Sequence, residues 1–389
     1  MLNQIINSIA HPILDNLLVA YPNTKNFYLK PGTYQITQTL NLNIEGVRLI
    51  GLTRNPDDVQ IIQTSTTANT INISNDNIRL EYLSIHGENS QGICIYQSNC
   101  NWTNISTCHI YGNGTNHTVY FGGPNIPTDS SQPAMFDNNI LNQNSSFENN
   151  IVYTLSGGNA VTINVQNNCS IRDNIIRGGP ISVFLLKNSI IIDNYVIDSG
   201  KQGIFINLPV NDVNVENNTI HRSSASAIKL ATPSNLPNYI NNTQALTIQN
   251  NCSAYGQYIG IEINNATNIN ITNNRILYST SFAMYLLNAN TNNISNNLMM
   301  QFTRGIEIDA NATNNTVTNN SFYSVYPLNS EHAIVLEDNS TTNTITDNYT
   351  YGKFTSDAIN DMGQNNTITG TNSLQYISFT DEISKLMIW

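Results

Sequence analysis

Apolar residues recur at fixed places along most of this chain, in short groups separated by asparagine-rich turns. The commonest group reads aliphatic-x-[Asn/Asp]-Asn-x-apolar. It aligns nine segments: FENNIV (147–152), IRDNII (171–176), IIDNYV (191–196), VENNTI (215–220), IQNNCS (248–253), ITNNRI (271–276), ISNNLM (294–299), VTNNSF (317–322) and ITDNYT (345–350). Most steps are 20 to 24 residues, and the longer ones are 33 and 28. Weaker copies at 49–54, 80–85, 105–110 and 368–373 extend the series toward both ends.

A second group follows about nine residues after each asparagine and reads small-aliphatic-x-aliphatic. Its copies are GICI (92–95), GIFI (203–206), AIKL (227–230), GIEI (260–263), AMYL (283–286), GIEI (305–308) and AIVL (333–336). Such alternation is typical of a strand with one buried face. Each period therefore predicts a first strand, a variable turn, a second strand, an asparagine turn and a short third strand.

A period near 23 residues predicts a solenoid of stacked windings, because each strand can pair with its equivalent one period later at about 4.8 Å. The period is too short for a β-propeller blade, and the leucine signature of leucine-rich repeats is missing. Asparagine suits the turn for two reasons. It tolerates the left-handed backbone conformation of a tight corner, and stacked asparagine side chains can hydrogen-bond along the axis as a ladder.

This repeat resembles the pectate-lyase-like superfamily, including its carbohydrate-binding and sugar-hydrolysis β-helix repeats. The segment FYLKPGTYQITQTLNL (27–42) is similar to the strand and Pro-Gly-x-Tyr turn that open that fold. The resemblance covers about residues 25 to 375. It implies an all-β, right-handed, single-stranded parallel β-helix of about 12–13 coils, with an asparagine ladder between its second and third sheets. It also implies a polysaccharide ligand along the first sheet.

The ends of the chain are expected to cap the stack. Leu2, Ile5, Ile6, Ile9, Ile13, Leu17 and Leu18 are spaced as on an amphipathic helix, so a capping helix is predicted within 1–24. The β-helix is predicted over 25–373 and a C-terminal cap over 374–389. Such caps protect strand edges that would otherwise invite aggregation.

Composition excludes several classes of partner. Charged residues are 11% of the 389, with 15 Lys+Arg against 26 Asp+Glu and a net charge of -11, which gives no electrostatic footprint for nucleic acid. No apolar run approaches the ~20 residues of a membrane span. The first residues lack the basic stretch of a signal peptide. A location outside the cell or on a virion surface is nevertheless expected from the resemblance.

The outward positions of the first strands carry the candidate chemistry. Stacking predicts one column of Lys229, Glu262, Tyr285 and Glu307 on successive windings, beside the pair Arg304 and His332. Glu262 and Glu307 lie two windings apart, about 9.6 Å at the backbone, so their carboxyls could serve an inverting glycosidase.

A polysaccharide lyase would use the same column differently. Tyr285 or His332 would be the base, and Arg304 and Lys229 the cations that stabilise the enolate. The alternative interpretation is a purely structural column, in which neighbouring charges support one another across the strands. Two catalytic signatures of the superfamily are absent: the polygalacturonase-like Asn-Thr-Asp followed by Asp-Asp, and the alginate-epimerase-like Asp-Pro-His.

Long loops offer further candidates. Enlarged turns at 231–245 and 323–332 flank the column, and a long excursion spans 111–147. Aromatic rings suit the apolar face of a pyranose, so the candidate substrate-binding residues are Lys229, Phe205, Tyr239, Tyr323 and Tyr326.

No spaced set of metal ligands appears, and no cofactor is predicted. Some relatives use calcium, for which Asp212, Glu216, Asp338 and Asp347 are loose candidates. The sequence thus predicts a polysaccharide-recognising β-helix, a lyase or glycoside hydrolase, as a monomer or homotrimer. The alternative is a non-catalytic structural or adhesive spike of a virion or cell surface.

Overall fold

Parallel strands wind around one long core in the described part of the chain. The computed structural model describes residues 2–10, 13–123, 141–155, 157–232, 244–324 and 330–374. Each winding contributes a strand to each of three faces, in the order predicted from the repeat. The predicted all-β parallel solenoid is confirmed, with 14 strands on one face, slightly more windings than the 12–13 predicted.

The first face contains the small-aliphatic-x-aliphatic strands. They are β4 (Leu40–Leu42), β7 (Ile71–Ile73), β10 (Ile95–Ser98), β13 (His117–Gly122), β17 (Asn159–Asn167), β20 (Ile181–Ile192), β22 (Ile204–Asn207), β25 (Ser226–Ala231), β28 (Ile259–Asn264), β31 (Phe282–Leu287), β34 (Arg304–Ile308), β37 (His332–Leu336) and β40 (Ile359–Asp361).

The second face precedes the asparagine turn. Its strands are β1 (Leu2–Ile6), β2 (Thr24–Leu29), β5 (Arg48–Gly51), β8 (Arg79–Glu81), β11 (Asn104–Ser106), β14 (Asn142–Gln143), β15 (Ser146–Glu148), β18 (Ser170–Arg172), β23 (Asn211–Glu216), β26 (Gln244–Gln249), β29 (Ile269–Thr272), β32 (Asn293–Ser295), β35 (Thr316–Thr318), β38 (Thr344–Thr346) and β41 (Thr367–Thr369). The long strands β17 and β20 run round the corner and join the first two faces into one sheet.

The third face follows the asparagine turn. It consists of β3 (Gly32–Ile36), β6 (Val59–Gln63), β9 (Ser84–Gly87), β12 (His109–Gly112), β16 (Ile151–Thr154), β19 (Ile175–Arg177), β21 (Tyr195–Ile197), β24 (Thr219–His221), β27 (Cys252–Ala254), β30 (Arg275–Leu277), β33 (Leu298–Met300), β36 (Ser321–Ser324), β39 (Tyr349–Gly352) and β42 (Asn372–Leu374). A short helix α1 (Leu17–Ala20) and one 3₁₀ turn (Pro56–Asp58) are the helical elements of the described residues.

The aliphatic positions of the repeat form the core. On the first face Ile228, Ile261, Met284, Ile306 and Ile334 follow one another inward on successive windings, each at most 1% exposed. Burying each such side chain contributes about 1.5–3 kcal/mol. Because a strand alternates its side chains, the residues between these positions must face outward.

The two positions of each [Asn/Asp]-Asn pair have different tasks. The first residue takes the left-handed conformation, as Asn217, Asn273 and Asn296 do at φ of 54° to 58°. The second points inward and bonds to its equivalents. Nine asparagines form this continuous file: Asn150, Asn174, Asn194, Asn218, Asn251, Asn274, Asn297, Asn320 and Asn348. After Asn150, each side-chain oxygen accepts bonds from the backbone and side-chain N–H groups of the previous asparagine.

The predicted N-terminal capping helix is wrong. Residues 2–6 form strand β1, which pairs in parallel with β2 and extends the second face by one strand. Ile5, Ile9 and Ile13, assigned to the apolar side of the helix, are 53%, 90% and 53% exposed. Strand β1 provides hydrogen-bond partners for the backbone groups at the otherwise open edge of β2. The sequence did not reveal this, because the spacing of a short apolar run does not distinguish a strand from a helix. Nearly all of the proposed C-terminal cap, 374–389, lies outside the described residues.

All five cysteines are free thiols. Burial raises the pKa of Cys94, Cys100, Cys108 and Cys169 to about 12, and it also raises the pKa of Cys252, which is less deeply buried. Since the thiolate is the reactive form, the folded protein should react with a thiol reagent at pH 8 only slowly, at Cys252. Ellman titration before and after denaturation measures this. Rapid reaction of two or more thiols in the folded protein would contradict it.

Candidate functional site

The strand registers bring the predicted column together. Phe205, Lys229, Glu262, Tyr285, Glu307 and Val335 occupy the same outward position on six successive strands, β22 to β37. A second column, three residues earlier on each strand, contains Ser226, Ile259, Phe282, Arg304 and His332. The stacking of Lys229, Glu262, Tyr285 and Glu307, and of the pair Arg304 and His332, was predicted from the period, and the strand registers agree with it. The catalytic and binding roles assigned to these residues stay predictions.

Glu262 is 8% exposed and accepts three hydrogen bonds. The Lys229 ammonium donates to Oε1 at 2.6 Å, the Asn264 amide donates to the same oxygen at 2.8 Å, and the Ser226 hydroxyl donates to Oε2. A buried carboxylate needs such partners. The carboxyl is therefore fixed in position, with a cation beside it.

Glu307 has a different environment. It is 6% exposed, and burial raises its pKa, an effect that the adjacent Arg304 guanidinium opposes. Arg304 Nη1 lies 2.6 Å from Glu307 Oε2, and the same guanidinium contacts Glu331 at 3.0 Å and Glu337 at 3.3 Å. Three carboxylates thus surround one cation, and the negative charges of Glu337 and Asp309 add to the effect of burial in raising the pKa of Glu307.

Tyr285 lies between the two glutamates. Its hydroxyl donates to Asp309, and its ring stacks on Phe282 with centroids 5.1 Å apart. Burial raises the pKa of Tyr285, and so do the hydrogen bond to Asp309 and the negative charges of Asp309, Glu307 and Glu262. These surroundings oppose a phenolate, so they disfavour the role of lyase base.

His332 is held on both sides. Its Nδ1 lies 2.6 Å from the carbonyl oxygen of Asp357, and its Nε2 lies 3.6 Å from Glu331 Oε1. The side chain is 9% exposed. The ring is thus engaged within the protein rather than open to a substrate.

The charges of this surface are unequal. Lys229 and Arg304 provide two cations, and Glu262, Glu307, Asp309, Glu331 and Glu337 provide five carboxyl groups. Both cations are already bonded to carboxylates. The sequence interpretation missed Asp309, Glu331 and Glu337 because they lie just beyond the ends of the repeat strands. Their proximity to Glu307 and Arg304 in the sequence was the available signal.

The structure places the predicted aromatic substrate-binding residues in different parts of the molecule. Phe205 lies in the outward column next to Lys229, as predicted. Tyr323, expected in a loop beside the column, is instead a strand residue of β36 on the third face, stacked on Tyr351 at 4.5 Å. Its position follows from the alternation of that strand, whose register pairs the two tyrosines. Tyr239 and Tyr326, with most of their two loops, lie outside the described residues.

The calcium candidates do not converge. Asp212 and Glu216 lie in or at β23, whereas Asp347 follows β38, five strands further along the second face. In the described part of the chain, no three His, Cys, Asp or Glu side chains are arranged to hold a metal ion. The α-helix of the described residues, α1, has four residues, so none of the helical structure described there could span a membrane.

Three solved structures with a similar fold are a mannuronan epimerase module, a glucanase catalytic domain and a phage tailspike protein. The mannuronan C-5 epimerase AlgE6 A-module of Azotobacter vinelandii superposes with a TM-score of 0.64 at 15% identity, covering 93% of this chain and 94% of that one. The catalytic domain of a GH87 alpha-1,3-glucanase, solved with tetrasaccharides, gives 0.63 at 12% identity, over 95% and 69%. Tailspike protein 3 of bacteriophage CBA120 gives 0.56 at 10% identity, over 94% and 56%.

These likenesses show the fold, and the sequence comparison shows the family. No curated protein matches the sequence significantly. The family model described as "Right handed beta helix region" matches residues 139–243 and 238–373, more than half of the chain. The chain therefore belongs to the right-handed β-helix family and has the pectate-lyase-like fold that its repeat resembles.

Proposed function

We propose that this protein binds an uncharged polysaccharide along the outward column of the first face and hydrolyses its glycosidic bonds. The observation that carries the proposal is the placement of Glu262 and Glu307 in one column, two windings apart, in unlike surroundings. Pairs of carboxyls in different environments are the usual acid and base of glycosidases. The backbones lie about 9.6 Å apart, so a lean of the side chains toward each other would bring the carboxyls into the roughly 6.5–9.5 Å range of the inverting type, which leaves room for a water molecule.

Each residue of the column has a role in this proposal. Glu307, whose pKa is raised, is the proton donor to the leaving oxygen. Glu262, fixed by Lys229 and Asn264, is the base that activates water. Tyr285 and Phe282, stacked on each other between the two, form the aromatic surface for a sugar ring.

The charge distribution favours an uncharged substrate. Five carboxyls against two paired cations would repel a polyuronate, since no cation in the described column is left to bind its carboxylates. The same pairing, with the raised pKa of Tyr285, disfavours β-elimination by a lyase. A neutral glycan would not be repelled by the carboxyl groups, and its hydrolysis needs no phenolate base. A location outside the cell or on a virion surface fits this substrate.

The test is incubation with neutral and acidic polysaccharides, following reducing ends and the absorbance of unsaturated uronates. We expect reducing ends from a neutral glycan only. Glu262→Gln and Glu307→Gln should each lower the rate about a hundredfold or more, because each removes half of the acid–base pair. Activity should also fall on the alkaline side, as Glu307 loses the proton that it donates.

Glu216→Gln is the matched control, since Glu216 faces outward on the second face, away from the column. It should leave the rate unchanged. Unsaturated products would identify a lyase instead. Full activity in both Gln variants of the column would show that the residue assignment is wrong, and neither product nor binding from any glycan would end the carbohydrate proposal.

The second candidate function is a non-catalytic spike. It is favoured by one observation: the charged groups of the column already satisfy one another, as in a structural surface. The fold similarity to a phage tailspike is consistent with it. A spike should bind without releasing product, and light scattering should show a trimer.

A further inference from the structure

Three polar residues alternate along one strand of the third face, far from the column described above. Ser84 and His86 belong to β9, and Glu88 follows it directly. Alternate residues of a strand project to the same side, so the three side chains form a row. His86 Nε2 lies 2.9 Å from Ser84 Oγ, and His86 Nδ1 lies 3.0 Å from Glu88 Oε1.

The order of these contacts is that of a nucleophile, a base and an orienting acid. In such sites the carboxylate holds one ring nitrogen and leaves the other free to take the hydroxyl proton. The His86 ring is further fixed by stacking on Tyr111, with centroids 4.6 Å apart and planes 7° from parallel. His86 and Glu88 remain partly open to solvent, with side chains 19% and 31% exposed.

The neighbouring windings supply polar groups on both sides of the serine. The registers place Gln60 one winding before Ser84 and His109 one winding after it, in the same outward column. His109 Nδ1 lies 2.7 Å from Asp57 Oδ1, which fixes that ring. The Gln60 backbone lies about 4.8 Å along the axis from Ser84, so we expect its side-chain N–H to donate to a developing oxyanion.

A cleft opens at the corner next to this strand. It encloses about 380 Å³ between Tyr28, Tyr82, Arg54, Glu81 and Gly51. Tyr82 precedes Ser84 by two residues, or about 7 Å of chain. Gly51 is required there, because a Cβ at this position would lie 2.0 Å from the Tyr82 carbonyl oxygen. Within the described residues neither Arg54 nor Glu81 forms an ion pair, so both can bind a ligand rich in hydroxyls.

We propose that Ser84 is the nucleophile of a hydrolytic site for carboxylic esters, with the alcohol part of the ester, a hydroxyl-rich compound such as a sugar, in the cleft. Ser84 Oγ attacks the acyl carbon while His86 Nε2 takes its proton. The C–O bond to the alcohol breaks, and His86 returns the proton to the leaving oxygen. Water then attacks the acyl-serine while His86 takes its proton; the acyl C–Oγ bond breaks, His86 returns the proton to Ser84 Oγ, and the acid leaves.

The site shares no residue with the glutamate column, so its test is independent of the proposed glycosidase. The purified protein is treated with a small fluorophosphonate probe, chosen because Ser84 is 2% exposed, and the adduct is mapped by peptide mass spectrometry. We expect a single adduct on Ser84, which Ser84→Ala abolishes. Ser321→Ala is the matched control, since Ser321 has the equivalent position on β36, with Tyr323 in place of the histidine. It should leave labelling unchanged.

Hydrolysis of p-nitrophenyl acetate gives a second measurement. His86→Gln should lower kcat about a hundredfold or more through loss of the base. Glu88→Gln should lower kcat with little change in KM, because Glu88 is a positioning residue that never touches the ester. Circular dichroism and thermal melting verify that each variant is folded. No adduct on Ser84, or equal labelling of folded His86→Gln, would show that the row is only a structural hydrogen-bond network.

Discussion

Asn297→Leu should lower the free energy of unfolding by roughly 3–6 kcal/mol, because leucine fills the space but leaves several buried polar groups without partners. Asn297 Oδ1 accepts the backbone N–H of Asn274 at 2.9 Å and its side-chain Nδ2 at 3.0 Å. Asn297 Nδ2 donates to the Ile271 carbonyl at 3.0 Å and to Asn320 Oδ1 at 2.9 Å. All of these bonds are buried, so water cannot replace them.

The adjacent residue provides the control. Asn296 precedes Asn297 in the same turn, is exposed, and has φ of 58°. Asn296→Gly should change stability by less than about 1 kcal/mol, since glycine accepts this backbone conformation. Thermal melting and limited proteolysis compare the two variants, and cleavage near residue 297 should appear first because a solenoid can open locally. Equal melting midpoints for both variants would show that the buried asparagine side chains add no stability beyond that of the turn backbone.

A second asparagine file shows where sequence reasoning fell short. Asn292, Asn315, Asn343 and Asn366 bond to one another in the turn between the first and second faces. They recur at the same steps as Asn297, Asn320 and Asn348, which was a usable signal. It went unnoticed because this turn varies in its neighbouring residues, and asparagine is abundant throughout the chain.

The candidate site was predictable in its register but not in its charge balance. A fixed period assigns Glu262, Tyr285 and Glu307 to one column, since stacking depends only on equivalent positions. The partners that set their chemistry come from turns, whose lengths vary. Asp309 and Glu337 follow their strands, and Glu331 lies at the end of a long turn, so only coordinates show that they meet Arg304 and Tyr285.

Arg304→Met should destabilise the protein by about 2–4 kcal/mol at pH 8, somewhat less than a fully buried pair because the Arg304 side chain is 30% exposed. The methionine keeps the length of the side chain but removes the only cation that contacts Glu307, Glu331 and Glu337 in the described structure. Glu307, the most buried of the three, is then left without its counter-charge. Urea unfolding at pH 8 measures the loss.

The loss should depend on pH in a definite direction. The pKa of Glu307 is already raised above its ordinary 4.5 by burial, and without the opposing guanidinium it rises further. The folded variant then holds this proton more tightly than the unfolded chain does. The stability that the Arg304→Met variant gains from this bound proton is therefore fully present below about pH 4.5. It is lost as the pH rises through the pKa of Glu307 in the folded variant. Arg304→Met combined with Glu307→Gln should recover part of the stability at pH 8. A loss independent of pH, or no recovery in the double variant, would show that Arg304 acts through packing rather than through its charge.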